Sequence, residues 1–141
     1  LTSAPAIADY AAELLAADGL DLTEKESYID SREKVHFNRL SAAERKALIE
    51  KNPAYGRVIC RCETVTEGEI LDAIHSPIPP VSVDGIKRRT GAGMGRCQGG
   101  FCGPRVVDLL ARELGVSPLT ILQDRDGSEI LTAYTKGEVR A

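Results

Sequence analysis

The chain has 141 residues, 43% hydrophobic and 28% charged, which is enough for a real core and excludes wholesale disorder. Its formal charge of −3 argues against non-specific nucleic-acid binding, and no apolar run approaches the roughly 20 residues that cross a bilayer. No signal peptide reads at the start; Leu1 is not an initiator methionine, so a piece of a longer protein is expected.

Residues 1–19 read as a helix. Ser3 is placed to cap it, Pro5 suits the first turn, and Gly19 supplies a left-handed residue at its end. Ile7, Tyr10, Ala11, Leu14 and Leu15 recur at helical spacing, and this stripe is expected to pack on something upstream. Residues 20–40 are charged and lack sustained periodicity, so they read as a connecting segment. A second helix opens at Ser41, with Ser41 and Glu44 as a capping box, and stops at Asn52-Pro53. Tyr55-Gly56 then turns the chain into the short extended run Arg57-Val58-Ile59-Cys60.

The next helix start is unusually complete. Thr66 and Glu69 make a capping box, and Val65 and Ile70 stand where a hydrophobic staple forms. His75-Ser76-Pro77 ends the helix, and His75 there suits a capping role better than ligation. The other histidine, His36, stands alone. Pro77-Ile78-Pro79-Pro80 is a stiff connection, after which Asp84 is expected to cap a short helix through Arg89. Gly91-Ala92-Gly93-Met94-Gly95 lacks the G-x-G-x-x-G spacing and a preceding strand, so it reads as a flexible approach rather than a dinucleotide loop. Gly103-Pro104 launches the clearest helix, with Val106, Val107, Leu110, Ala111 and Leu114 on one face and Gly115 as its stop. Ser117-Pro118 starts one more helical turn. Asp126-Gly127, between Ile121-Leu122 and Ile130-Leu131, predicts a short C-terminal β-hairpin. The fold class expected is mainly α.

The chemistry lies in four cysteines, the whole complement, set as Cys60-x-Cys62 and Cys97-x4-Cys102. Four thiolates suit a closed tetrahedral zinc site or an iron–sulfur cluster. The spacing is not that of a zinc ribbon, and a Cys-x-Cys disulfide closes a strained ring, so three readings compete: disulfide, zinc and cluster. Several features favour an anionic centre. Residues 86–105 hold five basic side chains and no acidic one, whereas residues 1–51 hold seven basic and ten acidic. Arg61 and Arg96 flank ligands, Cys102 precedes a helix start, and Gly99 and Gly100 let backbone amides approach the sulfurs. Zinc tolerates these features too. A zinc-stapled or cluster-stapled docking module without redox role, and a Cu(I)-handling site, therefore stay open. No Ser/His/Asp set or carboxylate pair suggests hydrolysis.

The stretches NPAYGRVICRCETVTEGEI (52–70) and DGIKRRTGAGMGRCQGGFCGPRV (84–106) closely resemble the bacterioferritin-associated-ferredoxin-like [2Fe-2S] domain. The version they resemble stands at the C-terminus of FAD-dependent glycerol-3-phosphate dehydrogenases. The resemblance covers about residues 52–118. It implies a small helix-turn-helix domain with the cluster in loops, ligated by Cys60, Cys62, Cys97 and Cys102. It leaves residues 20–51 as connecting segment and helix, and 119–141 as a tail. Residues 1–19 look like the last helix of the family's FAD domain, which implies that Thr2 and Ser3 approach the flavin in the longer parent. Implied partners are that upstream FAD domain and an acceptor, either a quinone or an iron–sulfur subunit. The implied location is the cytoplasm, with a partner holding the chain at the inner face of the membrane.

Overall fold

A computed structural model describes residues 1–28, 31 and 34–136. Parts of the connecting segment (29–30 and 32–33) and the end of the tail (137–141) lie outside the described residues. The chain divides into two units, Leu1–Lys34 and Val35–Ala141.

The first unit is built on helix α1, Ala4–Ala17, with Pro5 in its first turn and Gly19 at φ +93° just beyond its end. Ser3 occupies the N-cap position, yet its side chain makes no capping hydrogen bond, so the expected cap is only positional. No residue of α1 is buried, and Ile7, Tyr10, Leu14 and Leu15 are all at least half exposed.

The second unit runs through a 3-10 turn at Phe37–Arg39, helix α2 (Ala42–Lys51), a 3-10 turn at Pro53–Gly56 and strands β1 (Val58–Cys60) and β2 (Val65–Thr66). Helices α3 (Glu67–Ile74), α4 (Val83–Thr90) and α5 (Gly103–Leu114) follow, then a turn at Pro118–Thr120. Among the described residues this is a helical structure with one small sheet, in keeping with the expected class. Both capping boxes form: Ser41 exchanges bonds with Glu44, and Thr66 with Glu69. Helix α4 departs from expectation. Its cap is Ser82, whose hydroxyl accepts the Gly85 N–H at 3.1 Å, while Asp84 sits inside the first turn and accepts from Lys87 and Gln123.

The core lies where α3, α4 and α5 meet, with Ile70, Ile86, Leu110 and Ile121 almost fully buried. Each such side chain contributes about 1.5–3 kcal/mol by leaving water. The expected C-terminal hairpin is reduced to one antiparallel bridge, Leu122 to Glu129, because Leu122 also bridges in parallel to Ser82 at the start of α4. The segment is thereby tied to a helix rather than extended as a ribbon.

Residues from 35 onward, read from sequence as part of a connection, are packed into this unit. Phe37 is buried and stacks on Tyr55 with centroids 6.5 Å apart, and its N–H donates to Glu69 at 3.1 Å. Tyr55 lies flat on Gly68, where a Cβ would stand 2.6 Å from the ring, and its hydroxyl donates to Asp72. Burial together with Asp72 pushes the Tyr55 phenol well above its ordinary range.

One buried charge ties the strands to the helices. Glu67, at the start of α3, accepts from Arg57 and from Arg112 of α5, the latter at 3.0 Å. The Arg57 hydrogen bond, helped by Arg112, outweighs burial and holds the Glu67 carboxyl below its usual range. A depressed folded pKa contributes stability that is complete above the unfolded value, near 4.3, and lost as pH falls through the folded one. Glu67→Gln should therefore cost about 1–2 kcal/mol at neutral pH, because both arginines it abandons reach solvent. It should also flatten the acid limb of a thermal-midpoint profile below about pH 4.5. Parallel limbs for the two proteins would show that Glu67 carries no acid sensitivity.

Candidate metal centre

The antiparallel pair delivers the first two thiols. Cys60 ends β1 and is 1% exposed, opposite Val65, while Cys62 lies one turn residue later on the surface. Thr64, at φ +54°, closes this tight turn in a conformation that a non-glycine residue adopts only under local constraint. The second pair arises from the loop between α4 and α5. Cys97 is exposed, and Cys102 stands at the N-cap position of α5, 2% exposed.

The loop is packed rather than flexible. Gly91 ends α4 at φ +82°, and Gly93, at φ +89°, lies in the turn closed by the Met94 N–H on the Gly91 carbonyl. Gly95 is buried, and a Cβ there would stand 2.2 Å from Cys62 Cβ, so the chain passes against Cys62 with no room for a side chain. Gln98, at φ +48°, clamps the loop by donating its side-chain amide to the carbonyls of Met94 and Gly95. The expected helix at Pro104 follows directly, with Gly115 closing it at φ +67°.

All four thiols are free and line one cavity of about 230 Å³ together with Arg61, Arg96 and Phe101. Cys62 Sγ and Cys97 Sγ are 3.7 Å apart. Two thiolates on one tetrahedral metal, with bonds near 2.3 Å, sit about 3.8 Å apart, so this pair has the separation of a shared metal. Burial pushes the Cys102 thiol up to about 11, with the neighbouring Cys60 adding to the rise. Cys97 moves the other way. The Phe101 N–H donates to its sulfur, followed by Cys62 and the Gly99 N–H, and these bonds lower its thiol.

The sequence-derived residues come together unevenly. The four cysteines, Arg61 and Arg96 share the cavity. The Gly99 amide reaches the Cys97 sulfur, whereas the Gly100 amide donates instead to the Cys97 carbonyl at 3.0 Å. Thr2 and Ser3 belong to the first unit, both exposed at the start of α1. His75 caps through its backbone, as expected, and its ring pairs with Glu113 at 2.9 Å. Sequence reasoning missed Phe101, whose ring lies 5.0 Å under the Arg61 guanidinium, and Gly95. Phe101 offered one signal, an aromatic between two ligands; Gly95 offered none, being one of several glycines in its run.

The BFD-like [2Fe-2S] binding domain family matches residues 58–112, which hold all four cysteines. A glycerol 3-phosphate dehydrogenase of Caloramator mitchellensis is 48% identical over 141 residues, 99% of this chain and 29% of that protein. Hydrogen cyanide synthase subunit HcnB of Pseudomonas aeruginosa is 38% identical over 95 residues, 60% of this chain and 20% of that protein. One subunit of the anaerobic glycerol-3-phosphate dehydrogenase of Escherichia coli K12 is 36% identical over 66 residues, 47% of this chain and 12% of that protein. The chain thus spans less than a third of the length of each of these relatives. No solved structure matches it, and no helix among the described residues is long and apolar enough to cross a membrane. The thiol-lined cavity and the match fall on the same stretch, so residues 58–112 are a BFD-like [2Fe-2S] binding domain.

Proposed function

We propose that Cys60, Cys62, Cys97 and Cys102 hold a [2Fe-2S] cluster, and that the chain is the electron-transfer part of an FAD-dependent glycerol-3-phosphate dehydrogenase. In this reading electrons pass from the FAD domain of the longer protein to the cluster and on to a quinone or a partner subunit. Thr2 and Ser3 approach the flavin there. The observation that carries the reading is the gathering of all four thiols around one cavity, with Cys62 and Cys97 Sγ 3.7 Å apart, inside the stretch that matches the [2Fe-2S] family. Four thiolates can serve a lone zinc or a binuclear iron centre, and the family match favours the second.

When bound, the cluster takes up and releases one electron. The chain's own residues set how readily that happens. The N–H groups of Phe101 and Gly99 stabilise charge on the Cys97 sulfur, and Arg61 and Arg96 add positive potential at the rim; both raise the potential. Burial of Cys60 and Cys102 works in the opposite direction by withholding water from that side.

Anaerobic purification with iron, labile-sulfide and zinc analysis tests the metal. Two irons and two sulfides per chain are expected, with a visible absorption that bleaches under dithionite. One zinc and no sulfide would remove the electron-transfer reading. In the full-length protein, glycerol 3-phosphate should bleach the same band through the flavin; a band that stays put would make the cluster a structural staple.

A further inference from the structure

The paired site faces solvent on one side only. Cys60 and Cys102 are buried, whereas Cys62 and Cys97 lie on the surface. Around the exposed pair stand Arg61, Arg96 and Phe101, and Met94 lies two residues before Arg96 in the same loop. Phe101 is 54% and Met94 58% exposed, although both are large and apolar. The basic side chains of α4 behave differently: Lys87 pairs with Asp84, and Arg88 with Asp84 and Asp124. Among the described residues no carboxylate pairs with Arg61 or Arg96. Glu63, next to Cys62, is the acidic side chain nearest the rim in sequence, and its carboxylate lies against Gly95.

We propose that this rim is the docking face of the domain, and that it fits an electron-transfer protein carrying carboxylates around the edge of its own cofactor. The proposal rests on the cluster reading above. An exposed aromatic, a methionine and two unpaired arginines form the composition enriched in protein interfaces. The aromatic and the arginines line the cavity that holds the two exposed sulfurs, Cys62 and Cys97. Unpaired arginines steer an acidic surface to this edge, and the aromatic and methionine give it an apolar centre, which suits a short-lived electron-transfer encounter. The Arg61–Phe101 stack holds the guanidinium over the ring, so the partner meets a preformed cation.

Flavodoxin, an acidic flavoprotein, serves as the probe, and cytochrome c, with its basic haem edge, as the opposite. The cluster-loaded chain should bind flavodoxin at least about tenfold more tightly than cytochrome c at low ionic strength, and lose this preference near 1 M salt. Arg61→Glu combined with Arg96→Glu should weaken flavodoxin binding about tenfold at low salt and slow its electron exchange with the cluster in parallel. Lys46→Glu combined with Lys51→Glu, an equal charge change on α2, should alter either by less than about twofold. Iron and sulfide content normalises every variant. A loaded chain that prefers cytochrome c, or for which the α2 pair acts as strongly as the rim pair, overturns the docking face and leaves the cluster reading intact. A chain with zinc and no sulfide overturns both.

Discussion

Cys97→Ser should purify without its chromophore and still fold. Cys97 is exposed, and its thiol stands 3.7 Å from Cys62, so the substitution removes one of two ligands from a pair while disturbing no packing. Retained iron and sulfide should fall below about a tenth of the wild-type content, since an alcohol is a poor iron ligand beside thiolates. The far-ultraviolet helical signal should persist, because α5 draws its stability from Val106, Val107, Leu109, Leu110 and Ala111, all buried. Cys102→Ser makes the informative contrast. That side chain is 2% exposed and packed in the core cluster, so a hydroxyl there costs about 1–3 kcal/mol in addition to the lost ligand. Cluster content should fall in both variants, and the apo-protein thermal midpoint only in the second. Equal midpoints would show that Cys102 serves ligation without serving the core.

Gly95→Ala should be nearly as damaging, although residue 95 offers no ligand. The added methyl would lie 2.2 Å from Cys62 Cβ and 3.3 Å from its sulfur. Neither neighbour is the free end of a flexible chain, since Cys62 Cβ is one bond from the backbone. Relief requires a backbone shift, typically about 1–3 kcal/mol of overpacking, and it moves Cys62 away from Cys97. The expected result is about a tenfold or greater loss of cluster retention under chelator challenge, with the unfolding midpoint of the apo protein changed much less. Gly100→Ala is the control: its methyl would meet only the Cys97 carbonyl at 3.2 Å. Similar retention in the two variants would show that the passage of residue 95 over Cys62 is not what holds the ligand in place.

These two substitutions mark the boundary of what the sequence discloses. Features governed by neighbours a few residues apart were legible: the Ser41–Glu44 and Thr66–Glu69 capping boxes, Pro104 opening α5, and Gly115 closing it. The cysteine spacing likewise pointed to the stretch that the [2Fe-2S] binding family matches. What stayed hidden depends on residues brought together from far apart. Arg112 reaching Glu67 from α5, Gly95 passing over Cys62, and Phe101 receiving Arg61 have no local periodicity to reveal them. The misplaced cap of α4 has a different cause. Ser82 and Asp84 are both good capping residues, and the choice between them was made by the backbone of Leu122 and Gln123, which accepts the N–H groups of Val83 and Asp84.

Glu69 links the start of α3 to the chain well upstream. One of its carboxylate oxygens closes the cap on Thr66, while the other receives the Phe37 amide from 32 residues earlier. The cap and one anchor of the upstream segment therefore share a single side chain. Phe37 is held there by its burial against Tyr55 as well as by that carboxylate, so the helix start and the upstream segment share their contacts. Loss of the helix start then releases residues 35–40 at the same time, so hydrogen exchange at Phe37 reports on a cooperative unit rather than on local fraying.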